Sequence, residues 1–505
     1  MDPKPRSRVW KWLTFIGLVA GILSLAAITA NQWLSPILSQ RLSNVARARF
    51  GSELHFQTLK VSVFPRVIVN ATGVVFRQHG RTDVPPLFAI DAVRVDTTYT
   101  GLIGPYRRVR RMEFRNLRIT VPPRTPNGGH ISMPHPHTGD RFIADEMIAD
   151  GTTLTVLPNK AGKEPLVFDI YKLSLHPGGQ AAMHYNAVLR NAKPPGLIHA
   201  EGDFGPWYNE DPGGTSLNGN YTFENADLSV FKGISGMLSS KGHFDGDLQT
   251  IHAQGTTDTP DFTLRSGGHP VHLTTDYESV IDGTNGETLL QPVNAHFRNT
   301  YIVCKGGVVQ TPGKPGKTVN LIGTVQNGRL EDVLYLATKA KQPMTGALSF
   351  QSSIIIPPGD VEVVKKLKLD GTATVASARF TDPNVQQKIN EMSDRASGMP
   401  GVPHDQTALS DLHTKFVMNN GEIRFSALTF AIPGAEVNLT GTYGILNETL
   451  DFEGHVRTEA KLSQMTTGFK HVLLKAVDPF FKKHGAGAEF PVHIRGTREH
   501  PEFGL

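Results

Sequence analysis

The residues most suggestive of chemistry fall into short motifs, and the first resembles a nucleotide site. Residues 313–318 read Gly-Lys-Pro-Gly-Lys-Thr, which looks like the end of a phosphate-binding loop. That loop requires a glycine at position 311, where this chain has Thr311, and no strand-to-helix unit surrounds the motif. We therefore interpret residues 313–318 as a glycine-rich turn between two strands and expect no nucleotide cofactor.

Two further groups could in principle act as a nucleophile or a metal site. Ser229 and Lys232 have the Ser-x-x-Lys spacing, but the companion Ser-Asp-Asn and Lys-Thr-Gly motifs are absent, so we interpret them as the end of a strand. A proline-rich loop carries four possible metal ligands, His130, His135, His137 and Asp140, and nothing in the pattern fixes their geometry. The sequence therefore predicts a protein that is not an enzyme, with no catalytic residues and no metal.

The densest basic stretch lies at residues 107–118, where six arginines occur. One interpretation is the solvated face of a strand, and the other is contact with anionic lipid headgroups. The candidates for headgroup or membrane-surface contact are Arg107, Arg108, Arg110 and Arg111. The chain as a whole has 51 basic and 46 acidic residues, a balance too even to indicate nucleic acid as a partner.

The elements that would position these groups are indicated by composition. Gly and Pro account for 50 and 34 of the 505 residues, which indicates many turns, and the length indicates two or three units or one elongated unit. The single cysteine, Cys304, is expected to be a small buried apolar residue on a strand.

Residues 13–30 contain no charged side chain and are predicted to form a transmembrane anchor. Eighteen helical residues span roughly 27 Å, close to the thickness of a bilayer core. Basic residues precede this segment, and the next one after it is Arg41, so the positive-inside rule places the N-terminus in the cytoplasm and the rest of the chain outside it. A cleaved signal peptide is the alternative, but this apolar run is longer than usual.

After a short amphipathic helix that begins at Ser35 and Pro36, the pattern changes to a period of two residues and mostly keeps it. Residues 450–457 alternate apolar and charged side chains, and Asn420-Gly421 between two apolar runs predicts a β-hairpin. Strands with one apolar and one polar face favour an antiparallel sheet. Helical patterns interrupt the strands at residues 360–367, after Asp382-Pro383, and at about 459–483.

Several segments together resemble the AsmA family of envelope proteins. They are the anchor with Phe50-Gly51, residues 60–75 leading to Thr100-Gly101 and the basic strand 109–121, residues 369–396, and Leu439-Thr440-Gly441 with the following helix and residues 490–497. This resemblance implies a curved β half-pipe whose apolar inner face holds acyl chains. It also implies phospholipid traffic between membranes and a role in outer-membrane biogenesis.

The expected architecture is mainly β, with an N-terminal transmembrane helix followed by an elongated antiparallel half-pipe and a few short amphipathic helices. The expected segments are the cytoplasmic tail and anchor, an N-terminal AsmA-like region, a Pro/Gly-rich loop, a middle β region and a C-terminal AsmA-like region, at residues 1–34, 35–121, 122–140, 141–358 and 359–505. The expected location is a bacterial inner membrane with most of the chain in the periplasm. The expected partners are phospholipid, that membrane, and the outer membrane or other envelope proteins.

The phase of the alternation predicts which side chains face the groove. The groove candidates are Phe297, Val303, Ile423, Phe425, Leu439, Phe452 and Val456, all placed on the apolar side of an alternating strand. A sheet whose apolar face stays open favours lipid as its occupant, whereas a closed sandwich favours a β scaffold that docks other envelope proteins without carrying lipid. The sequence leaves both alternatives open.

Overall fold

The computed structural model describes residues 53–504 apart from 64–65, 78–81, 99–106, 124–141, 178–181, 207–210, 266, 312–314, 340, 401–407, 466–486 and 499, together with five helical residues between 36 and 44. The predicted anchor at 13–30 and the histidine loop at 130–140 lie outside these residues. Within the described part of the chain, no helix is both long enough and apolar enough to cross a bilayer.

The fold is mainly β, as the alternation predicts, and the chain divides into two compact units. Unit 1 contains residues 1–223, 243–252 and 282–286, and unit 2 contains residues 224–242, 253–281 and 287–505. Residues 243–252 and 282–286 of unit 1 are the tips of two hairpins whose strands otherwise belong to unit 2.

Among the described residues of the segment 1–223, unit 1 contains eleven complete strands and the first part of a twelfth. Their bounds are β1 Glu53–His55, β2 Thr58–Ser62, β3 Val67–Arg77, β4 Phe88–Thr97, β5 Arg107–Val121, β6 Phe142–Ala144, β7 Met147–Asp150, β8 Thr152–Val156, β9 Leu166–Pro177, β10 Met183–Ala192, β11 Pro195–Phe204 and β12 Ser216–Asp227.

The prediction of a purely antiparallel sheet is wrong at one strand. β5 pairs antiparallel with β4, but on its other side it runs parallel to β6, β7 and β8 in turn. Val121 pairs with Val156 and Arg107 with Phe142, so the chain leaves β5 at one end and re-enters the sheet beside the other. Such a parallel return requires a long connection, which the proline-rich run after Val121 provides.

Unit 2 contains the remaining strands. Their bounds are β13 Ile234–Ser235, β14 Met237–Asp247, β15 Thr250–Leu264, β16 Val271–Asp282, β17 Glu287–Phe297, β18 Thr300–Val309, β19 Thr318–Arg329, β20 Met344–Ile356, β21 Lys368–Phe380, β22 Ser410–Asn419, β23 Glu422–Ile432, β24 Ala435–Gly444, β25 Thr449–Thr458, β26 Ala488–Thr497 and β27 Pro501–Gly504. From β17 to β27 each strand pairs antiparallel with the next.

Local sequence signals explain several of these connections. Asn420 and Gly421 both have positive φ and join β22 to β23, which confirms the predicted hairpin. The chain between Val309 and Thr318 connects β18 to its antiparallel neighbour β19, as predicted for a link between two strands, and Gly313 and Lys314 lie outside the described residues.

Three α-helices are described, α1 Leu330–Ala337, α2 Val363–Lys366 and α3 Pro383–Ala396. Helix α3 begins where Asp382-Pro383 predicts, because the Asp382 carboxylate accepts hydrogen bonds from the backbone N–H groups of Asn384 and Val385. Of the predicted helix at 459–483, the structure describes a 3-10 turn at Leu462–Met465, and residues 466–483 lie outside the described part.

A candidate apolar ligand site

The strands of unit 1 place their apolar side chains on one shared face. Residues directly opposite each other in neighbouring strands point to the same side of a sheet. Phe76 pairs with Phe88 and Phe88 with Ile119, while the next row joins Val74, Ile90 and Leu117. The rows continue on the other side of β5, where Ile119 pairs with Leu154.

This shared face bounds a partly enclosed cavity of about 600 Å³. Strands β1, β3, β4 and β5 contribute Leu54, Val74, Phe76, Phe88, Ile90, Phe114, Leu117 and Ile119. The strands that follow contribute Met147, Leu154, Ile170, Leu173, Leu175, Met183, Tyr185, Ala187, Phe204 and Leu217, and Leu248 completes the lining. None of these residues is charged, and the volume lies in the ordinary range for ligand pockets.

Among the described residues of the lining, Tyr185 has the one polar side chain, and its hydroxyl is already hydrogen-bonded. The Tyr185 hydroxyl donates a hydrogen bond to the backbone oxygen of Asn218 at 3.1 Å. It lies so close to Gly219 that a Cβ atom there would collide with it. Burial raises the pKa of Tyr185 far above its usual range, with a smaller contribution from the charge of Asp203, so this wall of the cavity stays neutral.

The curl of the sheet closes one boundary of the cavity. Strands β5 and β8 are separated from β11 and β12 by β9 and β10 in the sheet, yet their apolar side chains share one cluster. Val121, Val156 and Leu248 form its buried centre, and Ile119, Leu154, Phe204 and Leu217 pack against it. Leu248 comes from the turn between β14 and β15 and fills the space between the two sides.

The basic stretch lies on the outer face of unit 1, where carboxylates accompany it. Arg108 Nε lies 2.8 Å from Asp145 Oδ1, Arg111 Nε lies 2.8 Å from Glu113 Oε1, and Arg118 Nη2 lies 3.0 Å from Asp91 Oδ1. Hydrogen bonding from Asn116, followed by the charge of Arg118, lowers the pKa of Asp91.

Of the four arginines proposed for headgroup contact, Arg108 and Arg111 are thus ion-paired. Arg110 is exposed and makes no salt bridge to a described residue, and the side chain of Arg107 lies outside the described part.

In unit 2 the structure groups most of the predicted groove residues on one face. A row of directly paired residues runs across neighbouring strands as Cys304, Gly323, Ser352, Gly371, Phe416, Phe425, Gly441, Phe452 and Ile494. Phe425 and Phe452 belong to this row. Each of Ile423, Leu439 and Val456 lies two or four residues along its strand from a member of the row, so it points to the same face. Phe297 also points to this face. It pairs with Thr300, which lies four residues before Cys304 in β18 and so points to the same side.

The placement of Val303 on this face is wrong. Phe297 pairs with Thr300 across a tight turn at Arg298 and Asn299, so the chain reverses and the inward phase passes from odd to even positions. Val303 therefore lies beside Asn294 and Thr324 on the opposite face, where it is 37% exposed.

Helices cover part of the apolar face of unit 2. Leu330 and Val333 of α1 pack against Leu348 and Val375, while a second cluster joins Ile389 and Met392 of α3 to Ile432 and Ala435. Helix α1 is fastened by the buried Asp332, whose carboxylate accepts hydrogen bonds from Arg298 Nε and the Thr300 hydroxyl. This part of the face is a conventional core.

The short motifs show no catalytic arrangement among the described residues. Ser229 lies in a 3-10 turn that follows β12, and Lys232 Nζ donates to the backbone oxygen of Asp360 at 2.7 Å. A shallow concavity of about 860 Å³ on the polar face of β23–β26 includes Glu453, His455 and His493. Across the described part of the chain, no three acidic, histidine or cysteine side chains are grouped closely enough to hold a metal ion.

The cavity of unit 1 is the feature that the choice of groove residues missed. All seven candidates were taken from residues 297–456, whereas the cavity is lined by residues 54–248. Comparison of the chain with protein-family models, with curated proteins and with solved structures found no match.

Proposed function

We propose that this chain is a membrane-anchored envelope protein that binds the acyl chains of phospholipids in the apolar cavity of unit 1. The anchor is the apolar segment 13–30, which would hold the chain in a bacterial inner membrane with the β units in the periplasm. The wider role is to carry or bridge phospholipid between membranes for outer-membrane biogenesis.

The observation that carries this proposal is the chemistry of the cavity lining. Its side chains are uncharged, and its one hydroxyl is already hydrogen-bonded within the protein. Water in such a space would lack hydrogen-bonding partners, so apolar cavities favour apolar occupants. A hydrocarbon chain gains about 0.8 kcal/mol per buried methylene and needs no directed polar contact.

The lining also argues against a peptide as the occupant. An inserted peptide would bring backbone N–H and C=O groups that require partners, and each unpaired buried group costs about 1–3 kcal/mol. An acyl chain has no such groups, and its headgroup can remain in water at the edge of the cavity. A protein that only docks other envelope components would have no use for an apolar space of this size.

The proposal is tested by photo-crosslinking in cells with adjacent positions of one strand. A photoreactive residue at Phe114, which lines the cavity, should capture phospholipid. The same residue at Arg115, which follows it in β5 and is exposed, should capture little. A second matched pair is Leu217 in the lining and the adjacent Asn218 of β12.

Equal labelling at both members of each pair would contradict an internal lipid site. Absence of lipid at Phe114 and Leu217 in a folded protein would contradict lipid binding altogether. Capture of protein partners at these positions instead would favour the non-catalytic scaffold.

A further inference from the structure

Among the described residues that line the cavity, Leu248 alone does not come from a strand. It lies in the turn between β14 and β15, and its side chain is 6% exposed. It packs against Val121 and Val156 where the two sides of the curled sheet meet. An apolar side chain at a hairpin tip normally faces solvent, so this inward placement requires the tip to be held.

A set of hydrogen bonds fixes the turn that carries Leu248. The Asp247 carboxylate accepts from the backbone N–H groups of Gln249 and Thr250, each at 2.8 Å. The Gln249 side chain donates to Asp211 Oδ1 at 3.1 Å, and the Leu248 N–H donates to the backbone oxygen of Thr215 at 3.3 Å.

The turn between β16 and β17 also contacts the turn that carries Leu248. The Gly283 N–H donates to the backbone oxygen of Gln249 at 2.8 Å, and any Cβ at Gly283 would collide with the backbone oxygen of Leu248. The tip is therefore held by the backbone of two other segments, and Leu248 is a fixed part of the cavity wall.

We propose that Leu248 is the stop that sets the length of acyl chain the cavity accepts. This inference rests on the proposed function, because it takes hydrocarbon as the occupant. The cavity of about 600 Å³ offers room for on the order of 20 water-sized groups at about 30 Å³ each. That is the size of one fatty-acyl chain. Leu248 packs against Val121 and Val156, the last residues of β5 and β8, so a chain that enters from the opposite ends of these strands extends until its end meets Leu248.

A fixed stop gives a specific dependence of affinity on chain length. Each added methylene raises affinity by about fourfold while it is still buried. Once the chain end reaches Leu248, further methylenes remain in water and add nothing. Leu248→Ala removes about three methylene-sized groups from the stop, so the plateau should move to chains longer by about two or three carbons.

The experiment uses the full chain in mild detergent and a series of saturated fatty acids of roughly 10 to 20 carbons as displacers of a fluorescent fatty acid. The wild type should show rising affinity and then a plateau. Leu248→Ala should shift that plateau, and at the longest chains it should bind roughly tenfold or more tightly than the wild type. Leu248→Phe should shift the plateau to shorter chains.

Leu348→Ala is the matched control, because Leu348 is also 6% exposed but belongs to the core beneath α1. It should leave the plateau unchanged. If Leu248→Ala does not fold, Leu248→Val makes a smaller cavity change and should shift the plateau by about one carbon.

The outcomes separate the two proposals. If the wild type binds no fatty acid, the proposed function fails. If the wild type binds but the Leu248 variants keep the plateau of Leu348→Ala, lipid binding stands and the role of Leu248 as the stop is overturned.

Discussion

Removing the carboxylate of Asp332 should release helix α1 from the turn at residues 298–300. The side chain of Asp332 is 1% exposed and accepts three hydrogen bonds, from Arg298 Nε at 2.8 Å, the Asn299 N–H at 2.9 Å and the Thr300 hydroxyl at 3.0 Å. Each buried donor left without an acceptor costs about 1–3 kcal/mol. The Arg298 side chain is 41% exposed, so water replaces most of its contribution.

The two buried donors that remain are the Asn299 N–H and the Thr300 hydroxyl, so Asp332→Ala should lower the free energy of local opening by about 2–6 kcal/mol. Hydrogen exchange measured by mass spectrometry on the full chain is the assay. Amides at residues 299–303 and 334–338 should exchange about thirtyfold faster or more, since each 1.4 kcal/mol is about tenfold.

Asp258→Ala is the control for this experiment. Among the described residues, the Asp258 carboxylate contacts only the His272 ring, and both side chains are more than half exposed. The change should stay within about 0.5 kcal/mol. Unchanged exchange at residues 299–303 in Asp332→Ala would refute the assignment of Asp332 as the fastening of α1.

Three further predictions concern the faces of the two units. Burial raises the pKa of the Cys304 thiol, so at neutral pH Cys304 should react slowly with a water-soluble maleimide. The rate should be at least about tenfold lower than that of the double variant Val303→Cys, Cys304→Ser. Equal rates would contradict the placement of positions 303 and 304 on opposite faces. Gly441→Ala should destabilise unit 2 by about 1–3 kcal/mol in thermal unfolding, because a Cβ there collides with the backbone of β25. The control is Gly323→Ala, which meets only the end of the Ile354 side chain and should be nearly neutral. Similar effects of both changes would argue against the register in which β24 pairs with β25. Arg110→Ser should weaken binding to anionic vesicles by about 1 kcal/mol in a sedimentation assay, and Arg108→Ser by less, because Asp145 already neutralises Arg108; the reverse order would contradict the ion pairing.

The strands could be predicted from sequence where the alternation is uninterrupted. Residues 450–457 read as one apolar and one polar face, and β25 has that pattern in the structure. The hairpin at Asn420-Gly421 was also predictable, because both residues favour positive φ. In both cases the structure depends on neighbouring residues in the sequence, so it can be predicted without knowing which strands pair.

Val303 shows how a tight turn defeats the same reasoning. The alternation runs past Phe297 without a strong turn signal, and counting every second residue assigns Val303 to the inward face. The pairing of Phe297 with Thr300 reverses the chain, and that pairing is visible only in the sheet.

The cavity of unit 1 was obscured by irregularities in β5. Its inward residues are Val109, Met112, Phe114, Leu117 and Ile119, so the spacing alternates between three and two. Register shifts near Arg110 and the positive φ of Asn116 account for the extra residues. With arginines filling the other positions, this strand reads as a basic surface, although its inward face is apolar.

Leu248 and the parallel return beside β5 could not be predicted from the sequence. A single leucine in a polar turn carries no local signal of what it contacts, and its partners Val121 and Val156 are about a hundred residues distant in the chain. Alternation likewise does not distinguish a parallel neighbour from an antiparallel one, so β6, β7 and β8 were placed only by the structure.

The most direct test of the central claim is the lipid content of the purified protein. The full chain, extracted in mild detergent and washed, is analysed by native mass spectrometry and its lipids are then identified after organic extraction. Because the described lining of the cavity is apolar and its one hydroxyl is hydrogen-bonded within the protein, the account predicts a near-equimolar amount of bound phospholipid that survives the wash. A folded chain that carries no phospholipid, and takes none up from vesicles, would contradict it.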